Sequence, residues 1–241
     1  MHAQAQRDIY NSLMDVAPAN TKLAELGGEN AVGQLLEIIA ESGLEKEVGI
    51  RLLHKHNEIS IDEFMLEVAT FDVEGFALCT APQPLSGVVS KVPNSWRLSG
   101  SGATPIEYSD PKLVNAAFNV SDHAGMFDRL SKRIADLGVT DLLGPCLVYS
   151  DDVYRHSVVD APAFLEKTDE KNRANVVRIV AKDDAQFTNS AKTKWTANKI
   201  VDEAGNVSWM TACNCFCAIS EEGGHQGTTY HQISLDRSGR V

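Results

Sequence analysis

The sequence predicts an α+β protein: two related helix–strand units, a mainly antiparallel or mixed sheet, and a C-terminal β-hairpin. Three observations lead there. Two segments far apart, NAVGQLLEIIAESGL from Asn30 and MFDRLSKRIADLG from Met126, carry apolar residues at helical spacing. Each is followed by a glycine and then a short apolar run of strand character. The last third alternates apolar and polar residues on both sides of DEAGN, whose Gly205 and Asn206 suit a tight turn.

Taken in order, residues 1–30 read as a partly helical lead-in that ends at Gly27 and Gly28. Val32, Leu35, Leu36 and Ile39 then mark one face of a helix, which Gly43 terminates as a C-cap. VGIRLLHKH reads as a buried strand, EFMLEVATF as its neighbour and GFALCTA as a third. LSGVVSKVPNSWRLSGSGATP is rich in Gly, Ser and Pro and reads as loop with pieces of strand. The second helix begins near the capping residue Ser121.

The segment that spans the end of the second helix and the run after it echoes its counterpart in the first half. IAESGLEKEVGIRLLHK aligns with IADLGVTDLLGPCLVYS at an offset of 95, matching Gly43 with Gly138, Gly49 with Gly144 and Leu52 with Leu147. NVVRIVAK then stands as the counterpart of EFMLEVAT. This gives one α+β domain over residues 31–241, built of units 31–110 and 111–241.

Composition narrows the function classes. A net charge of −11 argues against nucleic acid and anionic membranes, both of which need clustered Lys and Arg. No apolar run has the length of a signal peptide or a membrane helix, so a cytoplasmic protein is expected. Five cysteines, three of them two residues apart, do not resemble a secreted disulfide framework and read as thiols or metal ligands.

Two clusters carry chemistry. In RLLHKHNE a regular strand places Ile50, Leu52, His54 and His56 on one face and Arg51, Leu53 and Lys55 on the other, with Glu58 next in register. Under the alignment His54 matches Tyr149 and His56 matches Asp151, so packing alone does not demand imidazoles. The order Gly49, His54, His56, then Glu58 or Glu63, loosely resembles the cupin metal-binding pattern, although the spacings differ and the second cupin motif is not evident.

The second cluster is WMTACNCFCAISEEGGHQGTTYHQ. Cys213, Cys215 and Cys217 share a face of a regular strand, with Cys213 and Cys217 about 13 Å apart. Two thiols at most can then share one metal, joined by His225 or His231 from a loop that Gly223 and Gly224 allow to fold back. The residues Leu53, His54, His56, Cys213, Cys215 and His225 resemble those of a group of small uncharacterised fungal proteins. These proteins carry Leu-His-Arg/Lys-His after a helix and a C-terminal Cys-X-Cys stretch followed by His. The sequence departs from that group at Asn57, where the group has an aromatic residue, and in the early third cysteine. The resemblance implies that the two clusters belong to one architecture; it brings no activity.

The functional expectation is a metal-dependent enzyme acting on a small-molecule substrate. Its ligands are His54 and His56, completed by His225 or His231, with Glu58 as a further ligand or general base. The cofactor is a divalent transition metal, zinc first, with iron or copper as alternatives. A second reading is a structural zinc held by Cys213, Cys215, His225 and His231 in a protein that binds a partner. A third is a thiol enzyme with Cys215 as nucleophile, His54 or His225 as base and Asn214 orienting. No Gly-X-Ser-X-Gly or Gly-X-Gly-X-X-Gly motif supports a serine hydrolase of that type or a dinucleotide enzyme.

Overall fold

A computed structural model describes residues 3–157, 162–181 and 189–220. Three helices lead: α1 (Ala3–Asn11), α2 (Val16–Glu25) and α3 (Gly28–Glu41). Strands β1 (Val48–Leu52), β2 (Glu63–Asp72), β3 (Gly75–Pro84), β4 (Val92–Ser99) and β5 (Gly102–Ser109) follow. Then come α4 (Ala124–Asp136), β6 (Leu143–Leu147), the short α5 (Asp151–Tyr154), β7 (Pro162–Asp169), β8 (Ala174–Ala181), β9 (Ser190–Val201) and β10 (Val207–Ala218).

Among the described residues these strands form a closed barrel in the order β1-β6-β4-β5-β2-β3-β8-β7-β10-β9, with β9 returning to β1. This corrects the α+β expectation. There are not two helix–strand units on an open sheet; there is one ring of strands with helices outside it. The reason the sequence misses closure is physical. The long hairpins β2–β3, β4–β5, β7–β8 and β9–β10 are local and readable. The seams that join them are short: β1 meets β9 at two residue pairs, β4 meets β6 at Ser95 and Cys146, and β2 meets β5 at two pairs.

The halves also trade strands. β1 lies between β6 and β9, and β6 lies between β1 and β4, so the first strand of each half pairs only with strands of the other half. The expected counterpart of EFMLEVAT changes as well. β7, not β8, holds the place equivalent to β2, because each pairs in parallel with the last strand of its half.

The stretch read as loop with pieces of strand holds a 3-10 turn (Leu85–Ser90), the whole of β4 and the first half of β5. Its prolines sit where ladder bonds are missing. Pro93 adjoins a bulge, and Pro105 lies outside the short β2–β5 seam.

The helices cover the outside of one flank. Buried Val32, Leu35, Leu36 and Ile39 of α3 and Met126, Phe127, Leu130 and Ile134 of α4 share one core with Val48, Ile50, Leu52, Leu98, Leu143 and Leu147. Both helices stop alike. Gly43 and Gly138 take positive φ (71° and 69°) and donate to Ala40 O and Ala135 O.

The apolar residues of β1 face those helices, so Gly49 and Arg51 face the lumen. The two glycines of the crossing strands are needed for room. A Cβ on Gly49 would collide with the Trp195 carbonyl oxygen, and one on Gly144 with the Trp96 carbonyl oxygen. The residues at 1–30 do more than lead in. Tyr10 and Leu13 form a second apolar cluster with Leu53, Ile59, Met65 and Ile106. No helix is long and apolar enough to cross a membrane among the described residues.

Gly49→Ala and Gly144→Ala are each expected to cost roughly 1–3 kcal/mol or more, the usual penalty of overpacking against backbone. Gly33→Ala, in open space on α3, is expected to gain roughly 0.5–1 kcal/mol. Urea denaturation midpoints of the three variants check both signs.

Candidate metal centre and barrel lumen

β1 ends at Leu52, and the chain leaves the sheet before the histidines arrive. Leu53 N–H donates to Leu142 O (2.8 Å), and Lys55 N–H donates to Met14 O (3.0 Å). The segment is gripped from α1 as well. The Asn11 side chain donates to Ile59 O and accepts from Ile59 N–H, and the buried Tyr10 hydroxyl accepts from His56 N–H at 3.3 Å. Strand alternation therefore stops at Leu52. The expected grouping of Ile50, Leu52, His54 and His56 on one face is corrected, since His56 reaches the lumen beside Arg51 while Ile50 and Leu52 face the helices.

His54 and His56 stand edge to face, with ring centroids 4.6 Å apart. His54 Nδ1 lies 2.9 Å from Leu52 O. A carbonyl can only accept, so Nδ1 carries a proton, and in the neutral ring Nε2 is then the atom with the lone pair. That is the state in which a backbone carbonyl holds a metal-ligating imidazole. The third member is Cys217. His54, His56 and Cys217 each offer one ligand atom within 4.8 Å of the others, a group that could hold a metal ion. Ligands at 2.0–2.3 Å in a tetrahedral shell lie about 3.3–3.8 Å apart, so closing on an ion takes about an ångström.

The other expected residues do not join them. Glu58 points to solvent, its side chain 76% exposed and 3.5 Å from Lys55 Nζ. Cys213 donates its thiol to Cys215 O at 3.3 Å. Cys215 lines the same cavity as His56 but is not part of the group that His54, His56 and Cys217 form. A bulge between Cys213 and Phe216 breaks the alternation that put all three thiols on one face of a regular strand. His225, His231, Gly223, Gly224 and the side chain of Asn214 lie outside the described residues, so the ligand sets built on them stay outside the structure described. Burial lifts the Cys213 thiol to about 11 and the Cys215 and Cys217 thiols well above their ordinary value. A reactive thiol needs the opposite shift.

Beyond the histidines the barrel encloses a cavity of about 20 Å³, room for about one water. Arg51, Glu67, Glu107, Glu166, Tyr149 and Lys194 are among its walls. Arg51 and Glu107 form an ion pair, their side chains only 13% and 4% exposed. Glu67 accepts from the Tyr149 hydroxyl (2.7 Å) and the Ser109 hydroxyl (3.0 Å). Burial raises the Glu67 carboxyl against the pull of Lys194, and it raises Glu166 to about 7. Lys194 Nζ sits 3.9 Å above the Tyr149 ring.

Sequence reasoning missed these lumen groups and assigned Cys217 no ligand role. A signal existed: charges interrupt apolar strands in GIRLL, FMLEVA and AFLEKT. Alternation shows that such a residue faces away from the apolar side. It does not say whether that other side is solvent or a barrel interior. Comparison with known proteins adds no relative to this geometry: no protein family, curated protein or solved structure matches the chain.

Removing one partner of the buried pair leaves a desolvated charge, so Glu107→Ala is expected to destabilise by about 3–5 kcal/mol. The paired replacement Arg51→Met with Glu107→Leu is expected to recover most of that loss, read as the denaturation midpoint of the single against the double variant.

Proposed function

We propose that the chain is a metal-dependent enzyme acting on a small molecule, with a divalent transition metal held by His54, His56 and Cys217. The observation that carries this reading is the convergence of those three side chains, one of which, His56, also lines the carboxylate-bearing cavity of the barrel. Two imidazoles and a thiol suit zinc, which takes nitrogen and sulfur ligands together. Three protein ligands leave a coordination position open, the arrangement of catalytic rather than structural zinc. A metal there supplies Lewis acidity and lowers the pKa of water it binds.

The protein's own groups supply the rest. The Leu52 carbonyl fixes the His54 tautomer, and α1 holds the His56 backbone. Burial keeps bulk water out, and Glu166 places a carboxylate in the lumen that His56 also lines. The cavity next to His56 has space for one small group at a time, which restricts the reading to a compact substrate or to a compact part of a larger one.

Elemental analysis of the purified full chain, after reconstitution with zinc and removal of excess, tests this. One metal per chain is expected in the wild type. His54→Ala and Cys217→Ala are expected to lose it, whereas Glu58→Ala, Cys213→Ala and Cys215→Ala keep it. Metal retained without His54 or Cys217, or never bound by the wild type, overturns the assignment.

A further inference from the structure

The barrel order reads the same when β1 is exchanged for β6, β2 for β7, β3 for β8, β4 for β9 and β5 for β10. The registers carry this correspondence down to single residues. Glu67 pairs with Ser109 across the parallel β2–β5 seam, and Glu166 pairs with Cys217 across the parallel β7–β10 seam. Gly49 and Gly144 each face a tryptophan carbonyl, from Trp195 and Trp96. Arg51 pairs with Lys194, and Cys146 with Ser95. Lys194 therefore answers to Ser95, and Thr193 to Asn94. Two residues beyond the ends of β1 and β6, His54 answers to Tyr149.

Two buried carboxylates thus occupy equivalent stations in the lumen. Around Glu67 stand Tyr149, Ser109 and Asn94, and all three donate to it, at 2.7, 3.0 and 3.4 Å. By the strand correspondence the three positions that answer to these are His54, Cys217 and Thr193, of which Cys217 is the register partner of Glu166. Thr193 donates to Glu166 at 3.5 Å, and Asn175 adds a bond at 3.1 Å. The Glu67 station shows what the barrel framework needs at these places: a phenol, a hydroxyl and an amide. An imidazole and a thiol at the twin positions, with His56 beside them, are a departure in the direction of metal binding.

We infer that Glu166 is the positioning carboxylate of the metal site and that the Glu67 station is its non-binding framework counterpart. This rests on the metal reading above. Glu166 borders Cys217 in register, on the adjacent strand, and lines the same cavity as His56. Carboxylates next to ligating residues fix their orientation and typically contribute 10- to 100-fold to metal affinity.

Cobalt(II) titration of the full chain, followed by thiolate-to-cobalt charge-transfer absorption, tests the division between stations. Glu166→Gln is expected to shift the band and weaken cobalt affinity about 10- to 100-fold, with Glu166→Asp recovering part of it. Glu67→Gln is expected to leave cobalt affinity unchanged and to lower the urea denaturation midpoint. The station swap His54→Tyr with Cys217→Ser is expected to keep the wild-type circular dichroism spectrum and to lose the band. Unchanged cobalt binding in Glu166→Gln overturns the role of Glu166 and leaves the metal site standing. Equal losses in Glu67→Gln and Glu166→Gln overturn the division, and a swap that loses the native spectrum overturns the equivalence of the stations. No band in the wild type removes the metal reading and this inference together.

Discussion

The pairing of buried charges inside the barrel is the constraint on which the rest of the structure turns. Closing the strands into a ring points Arg51, Glu67, Glu107, Glu166 and Lys194 into a space with room for about one water. A carboxylate or guanidinium there has lost its hydration and must find partners in the wall. Arg51 takes Glu107 and the Ser95 hydroxyl. Glu67 takes Tyr149, Ser109 and Asn94. These partners are spread over several strands, so the polar interior fixes register across the seams where backbone pairing is shortest.

The apolar core answers a different need. Its helical part lies outside the ring, where α3 and α4 cover β1, β4 and β9, and it is this part that the sequence displays openly. The 3.6-residue spacing of Leu35, Leu36 and Ile39 and the capping glycines Gly43 and Gly138 follow from local chemistry, and the helices end where those glycines are. The long hairpins are legible for the same reason. Closure is not. It depends on seams as small as Ser95 against Cys146, and no local pattern encodes a partner that distant in the chain.

The candidate site divides along the same line. His54 and His56 stand out because two imidazoles two residues apart are rare and chemically pointed. A regular strand treats the three thiols alike, so the sequence points to Cys213 or Cys215 as readily as to Cys217; the bulge at Cys215 is what makes Cys217 different. Glu58 depends on extending a strand that in fact ends at Leu52. The lumen charges are visible as interruptions in apolar runs, yet their meaning depends on which side of a sheet becomes an interior.

The exchange of first strands between the halves bears on how the chain reaches this shape. β1 cannot complete its ladder until β6 and β9 exist, and β6 in turn needs β4. A nascent chain that has emerged only through β5 holds hairpins whose ring is open, with both edges of β1 still waiting for β6 and β9. Contacts of such wide sequence separation are slow to form, because the intervening loop must be ordered first. Cooperative assembly late in synthesis, rather than stepwise maturation from the N-terminus, is the route this connectivity imposes.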